Sequence, residues 1–128
     1  MLSDDPEAVL AKLRSLALAL PKAAERLSHG SPGFFIEGGK FFAYFSHGHH
    51  GDGMTFVAVK TTGRDEQDML IEAAPEIYHW PAYIGPSGWI GINLAGEDVD
   101  WGLVDARLRS SWRLVAPKRL LSEHAPSA

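Results

Sequence analysis

The side chains best suited to chemistry are the imidazoles of His47, His49 and His50 and the carboxylate of Asp52, all within one short stretch of chain. Imidazole and carboxylate together suit Zn, Ni or Cu. All four sit in a single run, His47-Gly48-His49-His50-Gly51-Asp52-Gly53, with no adjoining scaffold to orient the rings. Glycines beside a hairpin tip account for such a loop without a ligand, so the expectation is a solvated turn that scavenges metal weakly. No metal centre and no cofactor are called for. Gly38-Gly39-Lys40 has the ending of a phosphate loop, but Phe34 stands where the first glycine belongs and Phe41 where Ser or Thr would hold magnesium. Ser87, in Gly85-Pro86-Ser87-Gly88-Trp89, lacks the spacing and the strand-to-helix setting of a nucleophile elbow. Asp65, Glu66, Asp68 and Glu72 read as the polar side of a helix. No nucleophile, base and orienting group can be assembled from spacing, so no enzyme is expected.

Two sets of residues remain for binding. Tyr78, Trp80, Tyr83 and Trp112 are aromatic residues that could line a groove for a protein or a small ligand, whereas Trp89 and Trp101 are expected to pack in the core. Lys40, Lys60, Arg107, Arg109, Arg113, Lys118 and Arg119 are the candidates for phosphate contact. Arg109 and Arg113 share a helix face, and Asp105, four residues before Arg109, is placed to pair with it.

These residues must be positioned by local elements. Residues 5–20 read as an amphipathic helix: Asp5 caps it, Pro6 suits its first turn, and Leu10, Leu13, Leu16, Ala17 and Leu20 recur at helical spacing. Ala23–Ser28 is ambiguous between an extra turn and a strand. Gly33 to Glu37 and Lys40 to Ser46 are rich in β-favouring aromatics, and Gly38-Gly39 between them predicts a tight two-residue hairpin. Met54 to Lys60 carries apolar residues on both faces, as a central strand does. A second helix is expected over Asp65 to Ala74, with Met69, Leu70 and Ala73 as its apolar side and Pro75 as its stop. Strands follow at Ile77 to Ile84 and Trp89 to Leu94, the first made irregular or an edge by Pro81. Asp98 is expected to cap a third helix through Trp101, Val104, Leu108 and Val115, and a last short helix runs from Pro117 to His124.

The chain has 128 residues, no cysteine, and a formal net charge of -4. That length fits one domain with its own core, here taken as about residues 5–118, with a frayed tail at 125–128. The missing cysteines exclude disulfides, thiolate catalysis and sulfur-ligated metals. The acidic start, Met1-Leu2-Ser3-Asp4-Asp5, is unlike a signal peptide, and no run reaches the length of a membrane span. A cytoplasmic protein without a membrane partner is the expectation. Charge is uneven along the chain: residues 61–100 hold a single base, Arg64, against eight acids, while 101–128 hold five bases against Asp105 and Glu123.

Leu20-Pro21, Gly30 with Pro32, the run Gly39-Lys40-Phe41-Phe42-Ala43, Phe56 to Lys60, Trp89 with Ile92 and Leu94, Trp101, and Ser110 to Val115 together resemble the pattern of the bacterial MmcQ/YjbR family. The resemblance covers about residues 9–118. It implies a CyaY-like α+β fold and favours a strand at Ala23–Ser28. The expected architecture is a single two-layer domain of order α-β(3)-α-β(2)-α, an antiparallel sheet of about five strands with helices mainly on one face. The family is described as having a double-wing DNA-binding motif and has no established reaction. The resemblance therefore implies a DNA-binding module using the hairpin, Lys40, Lys60 and the basic late helix. The alternative is a protein- or small-ligand-binding domain using the aromatic groove. Two departures stand out: the acidic stretch after Lys60, and Trp112 where a tyrosine is common.

Overall fold

The computed structural model describes residues 6–47, 54–96 and 98–123. The expected cap at Asp5, the loop residues His49, His50 and Asp52, and the tail from 124 lie outside them. The elements in chain order are helix α1 (Pro6–Ala17), strands β1 (Ala23–Ser28), β2 (Ser31–Ile36), β3 (Phe41–His47) and β4 (Thr55–Lys60), helix α2 (Arg64–Ala73), strands β5 (Tyr78–His79) and β6 (Trp89–Asn93), and helices α3 (Trp101–Val115) and α4 (Lys118–Glu123). The six strands form one sheet in the order β1-β2-β3-β4-β6-β5, antiparallel at every pairing. The α+β architecture is as expected, with one more strand: Ala23–Ser28 joins the sheet as its edge.

The tight two-residue hairpin lies one connection earlier than the sequence predicts. Ser28 pairs with Ser31, and His29 and Gly30 between them have φ of 53° and 83°, the double positive φ of a type I′ turn. Gly38-Gly39 instead belongs to a longer connection. Gly39 N–H donates to the Ile36 carbonyl at 2.7 Å, and only Gly38 takes a positive φ, 76°, at the third turn position where a type II turn requires it. The longer loop is matched by a bulge, because Phe34 pairs with Ala43 but Phe35 with Phe41. Phe42 is the extra residue, so Phe42 and Ala43 both point into the core.

One face of the sheet meets the helices. Val57 and Val59 of β4, Ile90 and Ile92 of β6, and Phe34, Ile36, Phe42, Ala43 and Phe45 of β2 and β3 pack with Leu13 and Ala17 of α1 and with Val104, Leu108 and Trp112 of α3. Val9, Leu13 and Ala17, each four apart, make the buried stripe of α1, which ends earlier than expected. Arg14 of α1 donates to Glu25 of β1 through Nε and Nη2 at 2.6 and 2.8 Å, holding the edge strand under that helix. In α2 the expected apolar side is displaced: Met69 is 58% exposed, and Gln67 is buried with Leu70. The Gln67 amide donates to the carbonyls of Gly85 and Trp89 at 2.8 and 2.7 Å, so a polar side chain ties α2 to the turn before β6. β5 is only two residues long, in keeping with Pro81 behind it. Asp100 rather than Asp98 caps α3, its Oδ1 accepting from Leu103 N–H at 3.1 Å.

Ser111 joins the two layers. The β3–β4 ladder runs from His47↔Thr55 to Ala43↔Val59. At the next position the Ser111 hydroxyl accepts from Lys60 N–H at 2.8 Å and donates to the Phe42 carbonyl at 2.6 Å. A side chain from α3 thus stands where the ladder would have closed, and it satisfies the carbonyl of the bulged residue. Replacing Ser111 by Ala leaves a half-buried donor and a buried acceptor unpaired, which costs about 1–3 kcal/mol for each group left unmet. Ser111→Ala is expected to lower unfolding stability by about 2–4 kcal/mol in urea titration; a loss under 1 kcal/mol would show that the bridge is dispensable.

Candidate functional site

The strand register assigns every side chain a face. Opposite the helices point Ala24, Arg26 and Ser28 of β1, Ser31, Gly33 and Phe35 of β2, Phe41, Tyr44 and Ser46 of β3, Phe56, Ala58 and Lys60 of β4, Trp89, Gly91 and Asn93 of β6, and His79 of β5. This face carries no helix and no carboxylate among the described strand residues. It is strongly aromatic. Phe35 lies 5.4 Å from Phe41 between ring centroids, Phe41 stacks on Tyr44 at 5.0 Å, and Tyr44 meets Trp89 at 5.0 Å. Arg26 lies over Phe35 and Phe41 at 4.8 and 5.1 Å, and Lys60 Nζ lies 5.6 Å from the centre of Trp89. A row of rings therefore crosses the sheet with a cation at each end.

Glycines let the rings lie close to the backbone. A Cβ on Gly33 would come within 2.7 Å of the Phe41 ring, and one on Gly91 within 2.4 Å of the His79 imidazole. His79 in turn meets Phe56 edge-on at 4.5 Å. Beside the aromatic row the face hollows into a groove of about 480 Å³, within the usual size range of small-molecule sites. Tyr44, Ser46, Phe56, Ala58 and His79 come from the sheet, Ser28, His29 and Ser31 from the β1–β2 turn, and Pro81 to Ile84 from the segment after β5. His29 and Tyr83, on the two lips, are non-glycine residues at positive φ, 53° and 69°. Backbone of that kind costs roughly 1–3 kcal/mol and collects at ligand clamps. Burial pushes the Tyr44 phenol above its ordinary pKa, and Arg26 draws it partly back, so at neutral pH Tyr44 offers an O–H.

The expected aromatic set divides. Tyr83 is 82% exposed and lines the groove; Trp80 is 40% exposed, beside it, with Arg64 5.0 Å from its ring centre. Tyr78 and Trp112 are not groove residues. Both belong to the helix-side core, and the Trp112 indole N–H donates to the Pro21 carbonyl at 2.9 Å. Trp89 is buried as expected, but on the open face, and Trp101 packs partly against the core. Tyr44, Phe56, His79 and Arg26 are not among the expected residues, because each reads, by itself, as an ordinary strand residue. The signal that could have found them is their alternation: Tyr44, Ser46, Phe56 and Ala58 share one side of two adjacent strands.

The basic candidates do not converge. Lys60 is on the open face, whereas α3 packs on the other. Arg107 is bound to Glu66 at 3.1 Å and Arg109 to Asp105 at 3.1 Å, the latter as the spacing predicts. Arg113 is half-buried on α3; Lys118 and Arg119 are exposed on α4, and Lys40 is exposed in the β2–β3 turn. His47 closes β3, with its Nδ1 2.6 Å from Thr55 Oγ1. No group of three or more metal-ligating side chains occurs among the described residues.

The YjbR family model matches residues 18–114, from the end of α1 to the last turn of α3. Among solved structures, a Deinococcus radiodurans protein, DR2400, with the family-model domain DUF419, is similar at a TM-score of 0.71 and 20% identity, over 93% of this chain and 90% of that one. At that identity the likeness is one of fold. No curated protein matches the chain.

Two variants test this geometry. Glu66 feels desolvation, which raises its pKa, but the Thr62 N–H, Arg107 and the Thr62 hydroxyl outweigh it and hold the carboxyl below its ordinary value. The stabilisation is present above the unfolded-state pKa of about 4.3 and is lost as pH falls through the lower folded value. Glu66→Gln is expected to flatten that acid limb in pH-dependent melting and to cost about 1 kcal/mol at neutral pH; an unchanged limb would assign it to other carboxylates. Gly91→Ala should push the His79 ring off the sheet and disturb its contact with Phe56, read as a chemical-shift change at the His79 and Phe56 rings. Unmoved ring resonances would mean that the close approach is not a constraint.

Proposed function

We propose that this chain, which belongs to the YjbR family, is a binding domain that holds a flat organic ligand in the groove on the open face of its sheet, without chemical turnover. The observation that carries the reading is the groove itself: about 480 Å³, walled by Tyr44, Phe56, His79 and Tyr83, with no Asp, Glu, Lys or Arg among its described lining residues. A pocket of apolar and aromatic surface with a few hydroxyl and imidazole groups suits a planar heteroaromatic ring, which stacks on the rings and hydrogen-bonds at its edge. Tyr83, exposed on one lip and at a positive φ that no hairpin turn requires, favours a clamp at that lip rather than a surface shaped only by packing.

Duplex DNA contact through the late helix has less support. Phosphate binding requires cations that reach outward on one side. Arg107 and Arg109 are engaged by Glu66 and Asp105, and Lys60 stands on the face opposite α3. The net charge of -4 adds a repulsive background to any polyanion.

Titration of tag-free protein with neutral fused-ring compounds, such as indole, quinoline and adenosine, should quench or shift tryptophan fluorescence saturably. Phe56→Ala and Tyr83→Ala should each weaken the best of them about tenfold, since a ring contact of this kind is worth roughly 1–3 kcal/mol. Melting temperature should stay near wild type for Tyr83→Ala. Absence of saturable binding by every compound, or binding indifferent to both substitutions, would overturn the reading. Salt-sensitive binding of duplex DNA that is lost in Lys40→Ala and Lys118→Ala would replace it with the nucleic-acid one.

A further inference from the structure

We infer that the ligand of this groove is a nucleotide, its base held among Tyr44, Phe56 and Tyr83 and its phosphate on the guanidinium of Arg26. This rests on the groove reading above and adds the chemical class of the occupant. The first support is the distribution of charge. The chain holds 16 acids against 12 bases, yet the described strand residues of the open face include Arg26 and Lys60 and no carboxylate. An acidic protein that keeps one sheet face free of acids presents a local positive field there, which a neutral ligand would not need.

The second support is the state of Arg26. Four arginines are committed to carboxylates, Arg14 to Glu25, Arg64 to Asp68, Arg107 to Glu66 and Arg109 to Asp105, and the remaining two besides Arg26, Arg113 and Arg119, stand on α3 and α4, away from the open face. Arg26 is exposed, has no ion pair among the described residues, and is held over Phe35 and Phe41. With no carboxylate partner among the described residues, the guanidinium has N–H groups to offer an oxyanion, and its planar fork suits phosphate with two parallel hydrogen bonds. The rings also restrict the side chain, so less freedom is lost when it binds.

The third support is placement. Arg26, Gly33 and Tyr44 follow one another across β1, β2 and β3 in register, and the Phe41 ring that lies over Gly33 touches both of the others. Arg26 is close enough to Tyr44 to draw down its phenol. Along β1, Arg26 stands two residues before Ser28, a lining residue, and a two-residue step in a strand is about 7 Å. The cation is therefore one step outside an uncharged aromatic pocket, the arrangement asked for by a ligand with a heteroaromatic ring at one end and an anion at the other. Ser28, Ser46 and His29 supply polar groups at the pocket wall for the edge of a base.

The test is calorimetric titration of the full chain with the four ribonucleoside 5′-monophosphates, their parent nucleosides, inorganic phosphate and a single-stranded adenine octamer, at low and high salt. The expected result is that at least one monophosphate binds tenfold or more tighter than its nucleoside, that salt weakens only the phosphorylated form, and that Arg26→Ala erases the difference while leaving nucleoside affinity in place. Arg26→Lys should restore part of it. An octamer that binds tighter per site than the monomer identifies a single strand as the source of the nucleotide unit, and one that does not identifies a free nucleotide. Equal affinity for nucleoside and monophosphate would overturn the phosphate assignment while leaving the groove reading intact. Phosphate competing as well as any nucleotide would overturn the base assignment. Silence from every nucleotide and nucleoside would overturn the inference as a whole, and the groove reading falls with it only if indole and quinoline are silent too.

Discussion

The structure depends on the Ser111 hydroxyl. A sheet that buries only one face must be anchored to its helices at a point where backbone polarity is left over, since apolar contact alone does not fix the position of a helix along a strand. Here the bulge at Phe42 supplies a carbonyl without a strand partner, and the start of the β4–β6 pairing supplies the Lys60 N–H. Ser111 takes both. With α3 fixed over β3 and β4, Val104, Leu108 and Trp112 fall onto Val57, Val59, Ile90 and Ile92. Trp112 then reaches the Pro21 carbonyl and closes the connection between α1 and the edge strand.

Anchoring every large helix on one side leaves the other side as a different material. Central strands with both faces covered are usually apolar throughout. Here the second face of the sheet is covered by its own aromatic side chains, laid flat where Gly33 and Gly91 leave space. That solution shields the sheet without a second helical layer, and it leaves a hollow wherever the small residues outnumber the rings. The groove is the space over Ala58 between the rings of Tyr44, Phe56 and His79, bounded by the β1–β2 turn on one side and by the chain after β5 on the other. Pro81 contributes by ending β5 after two residues, which frees the following segment to rise as a wall.

Charge follows the same division. The acidic stretch that begins after Lys60 is placed in α2, where Glu66 binds Arg107 and Asp68 binds Arg64, and Asp105 binds Arg109 within α3. One pair, Glu66 with Arg107, thus joins the acidic stretch to the basic one, while the other two are local pairs four residues apart on a helix. Such half-exposed pairs add little stability. Their larger effect is to withdraw those arginines from outside partners, whereas the two cations of the open face, Arg26 and Lys60, stand over rings without a carboxylate on that face.

The fold class, the single domain, the central position of β4 and the pairing of Asp105 with Arg109 were legible in the sequence, because each is set by local pattern: alternation, helical spacing, proline and glycine punctuation. Membership of the family was legible from the diffuse run of turn and core residues between Leu20 and Val115. Of the candidate groove less was legible: of the four aromatic residues expected there only Tyr83 lines it, Trp80 stands next to it in the chain, and the strand register and the pitch of α3 send Tyr78 and Trp112 into the core. The hairpin was misplaced because Gly38-Gly39 is the stronger local turn signal, yet the bulge at Phe42 requires a longer connection there, and His29-Gly30 takes the tight turn although a histidine must hold a positive φ. Sequence by itself determined which residues alternate and where the chain must turn. Only the tertiary structure decided which alternating side was covered by helices, because that choice is made by burial summed over residues distant in the chain and not by any residue alone.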